Sequence, residues 1–166
     1  MPYYYERTED VSLIESVLFD SEMFSRISED GQLIDDINIE ISSNHLWVAL
    51  YHNEILLGIG WIHPLSIATG MIHIHVSKQH RSHSYQCGMM MLDAMLSLTQ
   101  HNKFNAEIPI IYRDVIKFTQ KMGFQIEGTN RQSVYKNGQL VDQIYLGCTR
   151  SEMQVNLKQL NLHYQQ

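Results

Sequence analysis

The sequence predicts an α/β protein of the α+β kind: a mixed, mostly antiparallel sheet with helices on both faces. Three observations carry that prediction. Apolar residues recur at helical spacing near the amino terminus and again over residues 85–100. Apolar runs of strand length, rich in β-branched and aromatic residues, fill 45–63, 71–76 and 104–110. Asn137-Gly138, the strongest short-range turn signal in the chain, joins two long strand-like segments. The resulting order is helix, helix, hairpin, strand, long helix, strand, short helix, hairpin, which suits one sheet with helices laid on it.

Residues 8–19, TEDVSLIESVLF, begin with Thr or Asp as a cap candidate and put Leu13, Ile14, Val17 and Leu18 on one helical face. A second short helix is expected over 21–27, ahead of an acidic loop around Glu29, Asp30 and Gly31. Residues 45–51 and 55–63 read as two strands of a hairpin turned by His52, Asn53 and Glu54, and 71–76 as the next strand. The long helix, 85–100, presents Met91, Leu92, Met95, Leu96 and Leu98, and a strand over 104–110 follows. A helix over 113–121 stops at Met122-Gly123, where glycine suits a left-handed closing residue. Strands at 125–136 and 139–148 form the last hairpin. Residues 1–150 are expected to make a single domain, with 151–166, carrying Met153, Val155, Leu157, Leu160 and Leu162, a docked helix or a tail.

Composition narrows the function classes. At 166 residues and 44% hydrophobic, the chain can bury a core without staples. Its formal charge of −6 has the wrong sign for holding nucleic acid by the overall field. Cys87 and Cys148 stand far apart, so neither a disulfide framework nor a paired-cysteine redox or zinc motif is expected, and a cytoplasmic location is the default. The uncharged stretch 55–77 is long enough to span a bilayer, but His63, His73 and His75 interrupt it and Pro64 and Gly70 punctuate it. Strands are expected there, not a membrane helix.

The stretch VSKQHRSHSYQCGMMML, followed after a strand by VIKFTQKMGFQIEGTNRQSVYKNGQLVDQIYLG, resembles the GNAT superfamily of acyl-CoA N-acyltransferases over roughly residues 55–148. In that family a strand ending in Val leads into a Gln/Arg-x-x-Gly-x-Gly/Ala loop that opens the long helix and holds the coenzyme's pyrophosphate on backbone N–H groups. The resemblance implies acetyl-CoA as co-substrate, with no metal, and an amine on a small molecule or a protein as acceptor. It assigns coenzyme contacts to Ile74 and Val76 on the strand and to Arg81, Ser82, Ser84, Tyr85, Gln86, Cys87 and Gly88 around the loop. Ser84 and Gln86 replace the family's small residues, and Gly88 comes two positions late. Thr119, counted with the coenzyme contacts, stands where the family carries a Tyr that protonates the departing thiolate; Tyr112, at the start of that helix, is the substitute candidate. The resemblance further implies that the strand 71–76 splays from 104–110 and leaves backbone groups free.

His73 and His75 alternate with Ile72, Ile74 and Val76, so both imidazoles should share the face where an amine would enter and serve as bases near neutral pH. The equal alternative is a pair of inert, hydrogen-bonded histidines. Glu107 and Asp114 are carboxylates that could take the base's place. His73 and His75 with His80 and His83 also invite a zinc reading, although no Cys or carboxylate completes a known spacing. Cys87 and the Met89, Met90, Met91, Met95 group read as core. Two functions follow from the resemblance. One is an N-acyltransferase in which a strand N–H near Val76 stabilises the oxyanion. The other is an inactive GNAT-fold module in a homo-oligomer or larger assembly, such as a phage particle, since residues 15–31 and 71–81 have the style of phage-encoded proteins.

Overall fold

The computed structural model describes residues 2–164, with side chains through Asn161. Its seven-stranded sheet has the order β1-β2-β3-β4-β5-β7-β6, with β1 (Tyr3–Thr8), β2 (Leu46–His52), β3 (Ile55–Pro64), β4 (Thr69–Val76), β5 (Lys103–Pro109), β6 (Gln125–Lys136) and β7 (Gln139–Thr149). Every neighbouring pair is antiparallel except β4 and β5. The helices are α1 (Val11–Leu18), α2 (Ser21–Ile27), α3 (Ser84–Leu98), α4 (Arg113–Lys121) and α5 (Arg150–Tyr164).

Strand alternation sorts the side chains into two cores. On one face Val48, Leu50, Ile62, Ile72, Phe104, Ala106, Ile108 and Leu146 pack with Met91, Met95, Ile116 and Met153 from α3, α4 and α5. On the other, Trp47, Ala49 and Ile59 pack with Ile14, Val17, Leu18 and Met23 from α1 and α2. Helices therefore cover both faces, but α1 and α2 cover only the β2–β4 half of theirs.

Two differences from the sequence reading lie at the amino terminus. Residues 3–8 form an edge strand paired in register from Tyr3↔His52 to Thr8↔Trp47, where no strand was expected. The second is that Thr8 belongs to this strand, so of the two cap candidates it is Asp10 that caps the first helix, which starts at Val11; Asp10 accepts a hydrogen bond from the Leu13 N–H at 3.1 Å. At the carboxyl end, 150–164 is a helix whose Met153 is buried; the Leu162 side chain and Gln165 and Gln166 lie outside the described residues. Gly123, at φ +100°, closes α4 as expected, and Asn137 (φ +54°) and Gly138 (φ +78°) make the hairpin turn between β6 and β7.

Candidate active site

The sheet opens between its two central strands. β4 and β5 pair in parallel only at Thr69↔Lys103, Gly70↔Phe104 and Met71↔Asn105, and share no rung beyond. On its other side β4 stays paired with β3 through Gly58↔Val76. The Ser77 N–H donates to the Leu57 carbonyl at 2.9 Å, so Ser77 faces β3. Backbone groups alternate direction along a strand, so those of Ile74 and Val76 turn to the open side of β4. This is the splay that the resemblance implied.

The β3–β4 register is unbroken from Pro64↔Gly70 to Gly58↔Val76, so no bulge rotates the strand; the bulge nearby lies between β2 and β3. Ile72, Ile74 and Val76 face the α3 side, and His73 and His75 share the opposite face, as the alternation required. There they join an aromatic stack. The Trp61 ring lies 5.0 Å from Trp47, 4.6 Å from His73 and 4.4 Å from His63. His63 Nε2 and His73 Nε2 are 3.2 Å apart, so one donates and the other accepts. Burial drives the His73 imidazole down to about 3, with His75 and His63 adding repulsion, and burial alone drives His75 down to about 4. Both rings are neutral at pH 7 and are weaker bases than their sequence positions suggested.

His80 and His83 do not join them. His83 Nδ1 is 2.8 Å from the Tyr3 hydroxyl, and His80 Nε2 is 3.3 Å from the Gln79 amide nitrogen. Among the described residues no group of three or more His, Cys, Asp or Glu side chains is placed to hold a metal ion.

The segment after β4 differs from a glycine-rich loop. Lys78–His83 forms a 3-10 turn that runs directly into α3. Ser84 directs both its N–H and its hydroxyl at the Arg81 carbonyl, the hydroxyl at 2.8 Å, while Ser82 remains exposed. The Arg81 guanidinium lies on the Glu22 carboxylate of α2, at 2.6 and 2.7 Å. The Tyr85 hydroxyl donates to the Leu160 carbonyl of α5 at 3.1 Å. Gln86 is half-buried on α3, and Cys87 is buried, its thiol pushed up to about 12 by desolvation. Gly88 serves packing, because a Cβ there would sit 2.4 Å from Met122 Sδ and 2.9 Å from Phe118 Cζ of α4. Thr119 is buried with its hydroxyl donating to the Val115 carbonyl at 2.9 Å, so it does not replace the family's Tyr.

α2 reaches across the open end of the splay. Besides Glu22 on Arg81, its Arg26 donates to Asp114 at 3.2 Å and lies 5.1 Å from the centre of the Tyr112 ring. Burial would raise the Asp114 carboxyl, but the hydrogen bond and charge of Arg26 outweigh it and hold the group below the usual carboxylate range. Lys136, buried at the end of β6, donates to the carbonyls of Ser25, Arg26 and Ser28, fixing the carboxyl end of α2. Its ammonium is 5.4 Å from the same Tyr112 ring.

One further side chain was missed. Asn105 stands at the last shared rung, and its buried Oδ1 accepts no hydrogen bond from any described residue. It alternates with buried Phe104, Ala106 and Ile108, which places it with Glu107 on the histidine face. A polar residue between apolar neighbours is the only trace of it in the sequence. Glu107 Oε1 accepts from Asn130 Nδ2 at 3.2 Å, and the Glu107 charge raises the Tyr145 phenol.

A seven-stranded, mostly antiparallel sheet with helices on both faces and a central splay is the GNAT fold. Among solved structures, the chain is similar to the spermidine N-acetyltransferase from Vibrio cholerae in complex with CoA and spermine, with 13% identity, 92% of this chain and 98% of that one covered, and a TM-score of 0.76. Mutant forms of the spermidine/spermine N-acetyltransferase from the same organism align at 12% identity over 92% and 96% of the two chains, with a TM-score of 0.75. No protein-family model and no curated protein sequence matches the chain. Among the described residues, no helix is long and apolar enough to cross a membrane.

Proposed function

We propose that this protein is an acyl-CoA-dependent N-acyltransferase that moves an acetyl group to a primary amine by direct attack on the thioester. The observation that carries the proposal is the splay, which begins beyond Met71↔Asn105 within a GNAT fold. Its donors fit the co-substrate: the freed backbone groups of Ile74 and Val76 offer amide partners for an extended pantetheine arm, in the manner of an added strand. Acetyl-CoA supplies an activated acyl group whose carbonyl carbon bonds to the amine nitrogen as the carbon–sulfur bond breaks.

The Val76 N–H donates to the thioester oxygen as it gains charge. The amine approaches from the face of His73, His75 and Asn105. Neutral imidazoles do not repel a cationic acceptor, and they accept a hydrogen bond from its nitrogen once a proton has gone to water; the second nitrogen proton leaves to water as the carbon–sulfur bond breaks, and water returns one to the phenol that protonates the thiolate. Orientation in the cleft carries most of the rate in this account, since rings lowered to about 3 and about 4 are weak bases. Tyr112, the cap residue of α4 beyond the end of β5, is the candidate phenol for protonating the thiolate. A second reading, a GNAT-fold module without catalysis in a larger assembly such as a phage particle, draws on Arg81 being held by Glu22 and Thr119 by its own helix. The two are separated by incubating the protein with acetyl-CoA and a panel of amines and following acetylated product by mass spectrometry. Product above the uncatalysed rate supports the enzyme, and none with any amine supports the module.

A further inference from the structure

α2 is a charged bridge over the mouth of the splay. Glu22 holds Arg81 at the end of the β4 arm at 2.6 and 2.7 Å, and Arg26 holds Asp114 at the end of the β5 arm at 3.2 Å. Arg26 is 3.8 Å from Glu22, so the Glu22 carboxylate belongs chiefly to Arg81. The Glu22–Arg81 pair is about one-third exposed on each side, 29% and 34%. Ion pairs with that much water contact are weak and exchangeable, and a pyrophosphate carries more charge than the single carboxylate it would displace.

We propose that Glu22 is a binding residue for the acceptor's ammonium, held in reserve by Arg81 until the coenzyme arrives. The inference rests on the acyltransferase reading given above. The coenzyme's pyrophosphate draws the Arg81 guanidinium, which leaves Glu22 beside the mouth of the splay with only Arg26 near it, 3.8 Å away and shared with Asp114. A cationic amine then takes the place of the guanidinium on Glu22. Each ligand supplies the charge that the resting pair loses, so each favours the other's binding. Arg26 stays with Asp114 and keeps the bridge attached to the β5 arm. Lys136, on the carbonyls of Ser25, Arg26 and Ser28, fixes the carboxyl end of the helix, so the exchange needs movement of two side chains only. The acidic balance of the chain, −6, favours a cationic acceptor in the same sense.

Calorimetric titrations of the full chain with coenzyme A and with spermidine as the cationic probe test the exchange. In the wild type, saturating coenzyme A should tighten spermidine binding by about fivefold or more, and spermidine should tighten coenzyme A by the same factor. Glu22→Gln should bind coenzyme A severalfold more tightly than the wild type and lose the coupling to spermidine, and Arg81→Ala should bind coenzyme A more weakly. The coupling in the wild type needs no variant, so it decides the matter even if a substitution perturbs folding. The inference is overturned if coenzyme A binds but leaves spermidine affinity unchanged, or if Glu22→Gln matches the wild type in both affinities. Absence of coenzyme A binding to all three proteins would instead remove the acyltransferase reading, and this inference with it.

Discussion

Acid should destabilise this protein through two half-buried histidines of β4. His73 and His75 are neutral in the fold, with values driven from 6.5 down to about 3 and about 4. Because the folded values lie below the unfolded one, the unfolded chain binds more protons as the pH drops. The stabilisation is complete above pH 6.5 and is lost progressively toward pH 4 and below. At pH 5 each histidine then costs about 2 kcal/mol relative to pH 8, from 1.36 kcal/mol per unit over about 1.5 units. Together they remove about 4 kcal/mol, a large part of a domain's usual 5–15 kcal/mol. His63, also lowered by burial, acts in the same direction. Urea melts at pH 8, 7, 6 and 5 measure the slope. The double variant His73→Gln plus His75→Gln should flatten it, since amides keep hydrogen bonding without titrating. A double variant that keeps the wild-type slope would refute the assignment. The same shift bears on catalysis: a rate limb set by His73 belongs near pH 3 and one set by His75 near pH 4, not at the ordinary histidine value expected from sequence.

Two other substitutions separate packing from chemistry. Gly88→Ala places a methyl against Met122 and Phe118; overpacking of about 1–3 kcal/mol less a helix-propensity gain of about 1 kcal/mol leaves a net loss of about 1 kcal/mol in denaturant melts, with coenzyme A affinity unchanged. Tyr112→Phe keeps the ring beside Arg26 and Lys136, so stability should hold, while turnover should fall about tenfold or more if the phenol protonates the thiolate; unchanged turnover would assign Tyr112 to packing.

The central sheet was legible because its signals are local. Strand alternation in 71–76 placed the two histidines on one face, and Asn137-Gly138 announced its hairpin. β1 was not legible: YYYERT at a sheet edge has two exposed charged residues and little alternation, and it is a strand because β2 offers it a partner. The contacts around the candidate site were not legible for the same reason. Arg81 looks free for an anion until Glu22, 59 positions earlier, is brought beside it. The lowered His73 depends on burial, beside Trp61, and on His63 from another strand, and Asn105 matters only because the splay starts beside it. Gly88 reads as a displaced loop glycine until α4 packs against it.

In the proposed reaction the open side of β4 receives the thioester. A ¹H–¹⁵N NMR titration of the 19.4 kDa chain with acetyl-CoA tests it most directly. The Ile74 and Val76 amides should shift in a saturable way, and along the strand the effect should be largest at these two. Saturable binding that leaves both amides unmoved, with the shifts confined to another part of the molecule, would contradict it.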